Sequence, residues 1–293
     1  MVLCVSRLAQ PLAHLSRRSA AALPALLISA RFVASAGARD EGARLNVPPL
    51  AEGHCRLYLA RHGETDWNKE RRLQGRTDIA LNAAGVAQAQ ALSDFLADAP
   101  FDTIASSPLQ RAVATADAVA RRHRRARRLR AAAFEEMCFG TFEGQRLSAI
   151  DDEYKATTAR WAAGETSFAW PGESLLGQAP LQGESVDDVA ERGVAGLRKL
   201  AVLGGPAVGD HANVLRGRKG GGPTPKHVLV VAHGRFNKIL LAELTYERRR
   251  CSELDQGNTC VNVVDVAPDG ACELVALNVL DHLGQPGRDP PPA

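Results

Sequence analysis

Two short hydrophobic segments of this chain each lead into a histidine followed by a glycine. A predicted strand that ends near Ala60 is followed by His62-Gly63, and Val228 to Val231, the most hydrophobic predicted strand, is followed by His233-Gly234. A neutral imidazole is a competent nucleophile, and histidine is among the side chains that form covalent intermediates in catalysis. Both histidines are therefore candidates for a reactive site.

Arginines accompany these strand ends. Arg61 directly precedes His62, and a third predicted strand, Asp102 to Ser106, is followed one helical turn later by Arg111. Guanidinium groups bind phosphate oxygens through two parallel hydrogen bonds, so Arg61 and Arg111 could clamp a tetrahedral dianion. Their charge also disfavours a protonated imidazole, which predicts that His62 is neutral near pH 7.

Predicted strands alternate with predicted helices along most of the chain. The helices are expected over residues 82–99, 108–122, 185–203 and 236–244, and two further strands over 260–266 and 273–277. This alternation predicts a three-layer α/β/α fold with a mainly parallel central sheet that helices cover on both faces. Ligands of such sheets bind at the carboxyl ends of the strands, so the two histidines and two arginines are expected to converge there.

The order of these motifs resembles that of the histidine phosphatase superfamily, also called the phosphoglycerate mutase-like family. The resemblance covers roughly residues 56 to 283. The matching positions, in chain order, are Leu59 to Thr65, Asn68, Gln74, Gly75, Asp78, Leu81, Asn82, Gly85, Ser106 to Leu109, Arg111, Ala112, Thr115, Glu136, Phe139, Gly140, Phe142 to Gly144, Gly183 to Ser185, Arg192, His233, Gly234, Asn258, His282 and Leu283. The resemblance implies the histidine phosphatase fold.

The resemblance also implies a role for individual side chains. His62 would carry the transferred phosphoryl group, Glu136 would donate a proton to the leaving group, and His233 would complete the catalytic set. The residues that would bind the substrate are Arg61, Asn68, Gln74, Gly75, Arg111 and Gly234. The apolar neighbours of Glu136 are expected to favour its protonated form.

The expected activity is the hydrolysis of a small-molecule phosphate monoester through a phosphohistidine at His62. Positioning and charge stabilisation dominate phosphoryl transfer, and the arginines could supply both, so no metal and no cofactor is expected. No three or four residues occur at the spacing of a metal site, which disfavours a metal-dependent hydrolase.

Two other functions stay open at this stage. One is a phosphoglycerate mutase-type phosphotransferase, whose specialised members have a longer basic and tyrosine-containing segment where this chain has Met137 to Gly140. The other is a non-catalytic scaffold that binds a phosphorylated ligand. The substrate itself is not predicted, because its selection would depend on residues 151 to 182, which match the family poorly.

Some segments depart from the family pattern. Pro171 to Ser174 resembles Gln182 to Ser185, and the second copy fits better because an acidic first helical turn follows it. Residues 204 to 225 are rich in glycine and proline, which predicts a flexible surface insertion.

The arginine-dense run from Arg121 to Arg130 is expected to be a solvated helix end and turn, with a docking patch for an anionic partner as the alternative.

Charge is distributed unevenly along the chain. Five of the 36 basic residues are arginines within residues 1 to 39, which contain no acidic residue. The other 31 nearly balance the 33 acidic residues, so we expect no basic face and no nucleic-acid partner. An arginine-bearing, acid-free N-terminus rich in alanine and leucine is typical of a mitochondrial or chloroplast transit peptide.

The N-terminal segment has two alternative interpretations. It could be a secretory signal with residues 20 to 30 as the apolar region, or no address at all, in which case the protein would be cytoplasmic. That apolar run is shorter than the roughly 20 residues that span a bilayer, so no membrane association is expected.

The predicted domains are a transit peptide or disordered segment over 1–50, the histidine phosphatase domain over 51–284, and a disordered tail over 285–293. The oligomeric state, a homodimer included, stays open.

Overall fold

A central sheet organises the computed structural model, which describes residues 44–170, 183–203 and 226–284. Within these residues the sheet has six strands in the order β3-β2-β4-β1-β5-β6. The strands are β1 (Cys55–Arg61), β2 (Thr103–Ser106), β3 (Arg127–Arg130), β4 (His227–Ala232), β5 (Val261–Val266) and β6 (Cys272–Val279). β1, β2, β3 and β4 pair in parallel, whereas β5 is antiparallel to both β1 and β6.

Strand register places three predicted strand ends side by side. Arg61 at the end of β1 is paired with Ala232 at the end of β4, and Ser106 at the end of β2 is paired with Val231. The residues that follow these strands therefore emerge at one edge of the sheet. The prediction of a mainly parallel sheet is confirmed.

Helices cover both faces of the sheet. Among the described residues the helices are α1 (Asp66–Lys69), α2 (Ala83–Phe95), α3 (Gln110–Ala120), α4 (Asp151–Ala162), α5 (Val186–Lys199) and α6 (Gly234–Thr245). Side chains alternate between the faces of a strand, so Leu57 packs in the core with α5 and α6 whereas Tyr58 packs in the core with α2 and α3. The predicted three-layer α/β/α fold is confirmed.

Polar side chains fix where several helices begin. Asn82 accepts a hydrogen bond from the amide of Gly85 and starts α2, as the sequence predicts. Ser185 and Asp188 form a reciprocal capping box at the start of α5, and Thr65 and Asn68 form another at the start of α1. These caps hold the segments that follow β1 and precede α5 in defined positions.

Two elements differ from the sequence prediction. The predicted helix end and turn over Arg121 to Arg130 is wrong for its last four residues. Arg127–Arg130 instead forms the edge strand β3 beside β2. Arginines at three of its four positions leave no hydrophobic alternation, and only Leu129 packs against the core. Helix α4 was not predicted, since only Thr157 and Trp161 on it are buried and its sequence is otherwise polar.

Several sequence predictions fall outside the described residues. They concern most of the N-terminal segment 1–50, the first Gly-Glu-Ser copy at 171–174, the insertion at 204–225 and the tail at 285–293. Within the described ranges, no helix has the length and apolar character needed to cross a membrane.

Candidate active site

His62 lies buried where β1 ends, and its ring orientation is fixed. Its main-chain amide donates to Ala232 at the end of β4, over 3.0 Å. Its Nδ1 lies 2.6 Å from the carbonyl oxygen of Gly63, and since a carbonyl can only accept, Nδ1 carries the proton. The unprotonated Nε2 is left with its lone pair.

The charge state of His62 follows from its surroundings. Burial lowers its pKa well below the usual value, and the positive charges of Arg111 and Arg61 lower it further. The hydrogen bond to Gly63 raises the pKa, but by less than burial and the two arginines lower it. The imidazole is therefore neutral near pH 7, as the neighbouring arginines led us to expect.

His233 lies beside His62, between β4 and the first turn of α6. The two ring centroids are 5.2 Å apart, and His233 is fully buried. Its Nδ1 accepts a hydrogen bond from Nε of Arg111 over 3.2 Å, so its proton lies on Nε2. Nε2 has no partner among the described residues. Burial, Arg111 and His62 lower the pKa of His233 well below its usual value, so the neutral ring offers one N–H donor.

Arg111 is fully buried, and the main chain fixes its guanidinium. Nη1 donates to the carbonyl of Thr77 over 2.8 Å, and Nη2 donates to the carbonyl of Gly75 over 2.7 Å. Burial lowers the pKa of Arg111 to about 10, which still leaves the group charged at neutral pH. Its hydrogen bonds go to carbonyls and a ring nitrogen, so its charge is available to an anion.

Arg61 approaches the same place from the end of β1. Nη1 donates to the carbonyl of Gln256 over 2.6 Å, whereas Nε is buried without a partner among the described residues. A Cβ at Gly234 would lie 3.2 Å from this Nε, so the glycine allows the guanidinium to lie against the start of α6. An unpaired buried donor of this kind is suited to a phosphate oxygen.

Glu136 lies at the N-terminal end of α6 and is 8% exposed. Its carboxylate accepts hydrogen bonds from the amides of Met137, Arg235 and Phe236 at 2.8 to 3.0 Å. The apolar side chains beside Glu136 in the sequence predict an apolar environment for its carboxyl group. The structure corrects this: three main-chain amides surround the oxygens, because tertiary folding brings the first turn of α6 to a residue about a hundred positions earlier.

The other predicted binding residues differ in how they are connected to the two histidines. Oδ1 of Asn68 accepts from the amide of Thr65 and from Asn258, whose side chain also donates to the main-chain oxygen of His62. Gln74 is buried, and its Oε1 has no partner among the described residues. The neighbouring glycine, Gly75, takes part through its carbonyl, which accepts from Arg111.

Glu143 holds the loop that fixes Arg111, a function that the sequence analysis did not assign. Its carboxylate accepts from the amides of Arg76, Thr77 and Phe139 and from the hydroxyl of Thr77. Gly75, at φ +53°, lies so close that a Cβ would be 1.9 Å from Oε1 of Glu143. The available sequence signal was the position of Glu143 within the motif that matches the family.

Arg192 and Glu184 support the segment that carries Glu136. Arg192 donates to the carbonyls of Ala133, Glu135 and Glu136 over 2.8 to 3.1 Å. It also forms an ion pair with Glu184 at 2.9 Å. The second Gly-Glu-Ser copy is therefore part of the framework of the site.

The structure thus brings His62, His233, Arg61, Arg111 and Glu136 together at one sheet edge, and we call this set the phosphate pocket. It combines two neutral imidazoles, one of which offers an N–H donor, with two cationic guanidiniums and a carboxylate whose charge interacts with both of them. Such a set can bind a phosphate group and transfer it. No group of three or more His, Cys, Asp or Glu side chains in the described ranges is arranged to hold a metal ion.

Fold and pocket are those of a phosphoryl-transfer enzyme, and comparison with known proteins gives its family. The family model "Histidine phosphatase superfamily (branch 1)" matches residues 57–280, about three quarters of the chain. The chain belongs to this superfamily and is a metal-independent phosphatase.

Relatives and solved structures agree with this assignment. The chain is 26% identical over 227 residues to the uncharacterised phosphatase PhoE of Bacillus subtilis, a match that covers 78% of this chain and 96% of PhoE. It is 28% identical over 263 residues to the fructose-2,6-bisphosphatase TIGAR of Mus musculus, covering 78% and 95% respectively. A mutant phosphoserine phosphatase of Entamoeba histolytica, solved with phosphoserine, is 25% identical with a TM-score of 0.58 and covers 78% of this chain and 99% of its own.

Proposed function

We propose that the chain hydrolyses small phosphate monoesters in two steps, with phosphate carried in between on Nε2 of His62. The observation that carries this proposal is the state of His62: a buried neutral imidazole whose Nδ1 proton is held by Gly63, with Arg61 and Arg111 beside it. These features leave a lone pair on Nε2 next to two groups that bind phosphate.

In the first step, Nε2 of His62 attacks phosphorus, and the bond from phosphorus to the ester oxygen breaks in line. The two guanidiniums and Nε2–H of His233 donate to the equatorial oxygens, where negative charge is spread in the transition state. Glu136 gives a proton to the departing alkoxide, so the alcohol leaves uncharged.

In the second step, water attacks the phosphohistidine and the P–N bond breaks. Glu136, now a carboxylate, accepts the proton of the water, and orthophosphate leaves. His62 returns to its neutral form with the lone pair on Nε2 restored. Glu136 thus gives up one proton in the first step and regains one in the second.

Three main-chain amides hold the carboxyl group of Glu136 in position. The same carboxyl group can therefore serve the ester oxygen in the first step and the attacking water in the second.

The relatives support a small ester as the substrate. TIGAR is named for fructose 2,6-bisphosphate, and the Entamoeba structures contain phosphoserine in one case and 3-phosphoglyceric acid in another. Each of these molecules carries its phosphate on a small alcohol. We infer that a free metabolite, and not a protein side chain, occupies the pocket of this chain.

The decisive experiment is to detect the covalent intermediate. The protein is mixed rapidly with ³²P-labelled substrate, quenched, and the label is tested for the acid lability of phosphohistidine. We expect label on His62 that is lost in His62→Ala and kept in the control His54→Ala, a histidine outside the pocket. Turnover of phosphate esters by His62→Ala at the wild-type rate would contradict the proposal, and a pocket that never acquires label and never releases phosphate would be a scaffold.

A second assay separates hydrolysis from phosphate migration. The protein is incubated with 3-phosphoglycerate, and orthophosphate and 2-phosphoglycerate are measured together. Orthophosphate as the main product supports the phosphatase. Accumulation of 2-phosphoglycerate without orthophosphate would instead identify a mutase.

We also propose that residues 1 to about 50 direct the protein to a mitochondrion or chloroplast. The five arginines of residues 1–39, without any acidic residue, support this. The test is to fuse these residues to a fluorescent protein and to compare the fusion with one in which the arginines are changed to glutamine. Cytoplasmic fluorescence from the unchanged fusion would refute the proposal.

A further inference from the structure

The strand β3 lies at an edge of the sheet and contains the end of a run of exposed arginines. Within the described residues it pairs only with β2, so no strand lies along its other side. We call Arg127–Arg130, with the side that faces away from β2, the β3 edge. No acidic residue occurs between residues 121 and 130, and the seven exposed arginines there are Arg121, Arg122, Arg124, Arg125, Arg127, Arg128 and Arg130. The proposed function uses none of these residues.

Hydrogen bonds show which main-chain groups of β3 point away from β2. The amide of Arg127 donates to the residue just before β2 over 2.8 Å, and the amide of Ala131 donates to the last residue of β2 over 3.0 Å. The main-chain groups of successive residues in a strand point to opposite sides, so every second residue bonds to a given neighbour. Arg128 and Arg130 therefore direct their amides and carbonyls away from β2, where an added strand would find them.

The side chains of the β3 edge differ between the two faces of the sheet. Leu129 packs against the core that contains α5 and α6, whereas Arg128 pairs with Asp117 of α3 on the opposite face. Side chains alternate along a strand, so Arg130 lies on the face of Arg128, and Arg127 lies on the face of Leu129. A strand added at this edge would meet two guanidiniums on one face, and a leucine beside a third guanidinium on the other.

Most of the seven guanidiniums carry a charge that no neighbouring acid balances. Two of them, Arg122 and Arg128, pair with an aspartate. The other five form no ion pair within the described ranges, and among those five only Arg121 makes a side-chain hydrogen bond, to Gln90. Like charges close together repel, and an anionic partner offsets that repulsion. The surface around the β3 edge is therefore complementary to an acidic ligand.

A second copy of the chain is a poor partner for this edge. Antiparallel pairing of two β3 strands through their outward main-chain groups would place arginine opposite arginine, and like charges directly opposite each other destabilise a sheet. The chain itself also offers no matching segment outside the described residues. Those segments do not contain an alternation of acidic and apolar residues, and their acidic residues are Asp40, Glu41, Glu173, Asp210 and Asp289.

We propose that the β3 edge binds an extended acidic segment of another protein, which adds a strand to the sheet. Carboxylates at every second position of this segment lie on the face of Arg128 and Arg130, and the apolar side chains between them lie beside Leu129. The main chain of the segment exchanges hydrogen bonds with the outward amides and carbonyls. A nucleic acid would satisfy the guanidiniums but not these main-chain groups. The inference does not depend on the proposed function, because it involves no residue of the phosphate pocket.

The probe is a fluorescein-labelled peptide, Glu-Val-Glu-Val-Glu-Val-Glu, and fluorescence anisotropy measures its affinity for the full chain. A matched peptide with methyl groups on the amide nitrogens of its glutamates keeps the charge but cannot donate to the outward carbonyls. We expect it to bind about 10-fold more weakly, because main-chain hydrogen bonds are lost. A peptide with lysine in place of glutamate should not bind. Equal affinity of the methylated and unmethylated peptides would overturn the addition of a strand.

Charge-reversed variants assign the binding to this surface. Arg127→Glu combined with Arg130→Glu changes two exposed arginines that form no ion pair within the described ranges. We expect the peptide to bind this variant at least about 10-fold more weakly. The control combines Lys155→Glu with Arg249→Glu, which changes the net charge equally at exposed residues outside β3, and should keep the wild-type affinity. Circular dichroism shows whether both variants fold, and wild-type affinity in the β3 variant would refute the proposal.

Further measurements test the other possible occupants of the β3 edge. A single-stranded RNA oligonucleotide and vesicles containing phosphatidylserine carry negative charge without a polypeptide main chain. Binding of either one as tightly as the peptide, at the same salt concentration, would show a general polyanion surface and overturn the proposal. Analytical ultracentrifugation compares the association state of the wild type with that of the β3 variant, and we expect no difference. A dimer that is lost in the variant would assign the edge to a second copy instead.

Discussion

The phosphate pocket and the first two turns of α6 both contain cationic side chains, but the protein holds these cations in different ways. In the pocket, Arg111 donates to two carbonyls and to His233, and Arg61 donates to a third carbonyl. On α6, Lys238 has no hydrogen-bond partner within the described ranges. The fold itself therefore orients the guanidiniums of the pocket, whereas no hydrogen bond among the described residues orients the ammonium group of Lys238.

The difference follows from where each region lies in the fold. The pocket is built at the ends of β1, β2 and β4, whose register is fixed by main-chain pairing. Lys238 lies on α6, which packs against the 3-10 segment Arg248–Glu253, where side-chain contacts set the geometry. Preorganised donors need no reorientation during a reaction, so the sheet edge is the better place for phosphate chemistry.

The largest effect is expected for Arg111→Lys, which tests whether orientation matters in the pocket. A lysine keeps the charge but cannot bond to Thr77, Gly75 and His233 at once. We expect kcat/KM to fall about 10²- to 10³-fold for every substrate, as for the loss of one preorganised donor. Steady-state kinetics of Arg111→Lys would measure this fall in kcat/KM. The control is Arg122→Lys, at an exposed arginine paired with Asp94. Wild-type kcat/KM in Arg111→Lys would remove the distinction between the two regions.

Glu136→Gln should have the next largest effect, and it depends on the leaving group. Without a proton to donate, we expect turnover of alkyl phosphates to fall about 10²-fold, with a smaller loss on p-nitrophenyl phosphate, whose leaving group needs no proton. Burst kinetics should still show phosphorylation of His62 by the aryl ester. Glu135→Gln is the matched control, since its carboxylate pairs with Arg76 outside the pocket. Equal losses on both ester classes would contradict the assigned role.

A smaller effect is expected for Glu143→Gln, which weakens the loop behind Arg111. The amide offers one acceptor where the carboxylate bound three main-chain amides, so a buried donor loses its partner. We expect the free energy of unfolding to fall by about 1–3 kcal/mol in urea titrations. Glu153→Gln, at an exposed acid in the first turn of α4, should leave the stability unchanged. A Glu143 variant as stable as the wild type would show that the loop does not rely on this carboxylate.

The sequence predicted the strand-end residues correctly because a parallel sheet with fixed register leaves few positions for them. Once His62, Arg111 and His233 follow β1, β2 and β4, their proximity is a consequence of strand pairing. The environment of Glu136 was predicted wrongly because neighbouring residues in sequence say nothing about which amides fold against the carboxylate. The strand β3 was not predicted for a similar reason. Its solvated arginines give no hydrophobic alternation, and only its pairing with β2 identifies it as a strand.

By itself, the sequence determined the layer order of the fold and the family, and it named the candidate reactive groups, because hydrophobic periodicity and motif order can be read directly from the chain. Only the tertiary structure decided the proton positions on the two histidines, the carbonyls that orient Arg111 and the absence of a counterion at Lys238 within the described residues. These properties depend on which atoms from distant segments come within hydrogen-bonding distance, and burial then sets the charge that each group carries.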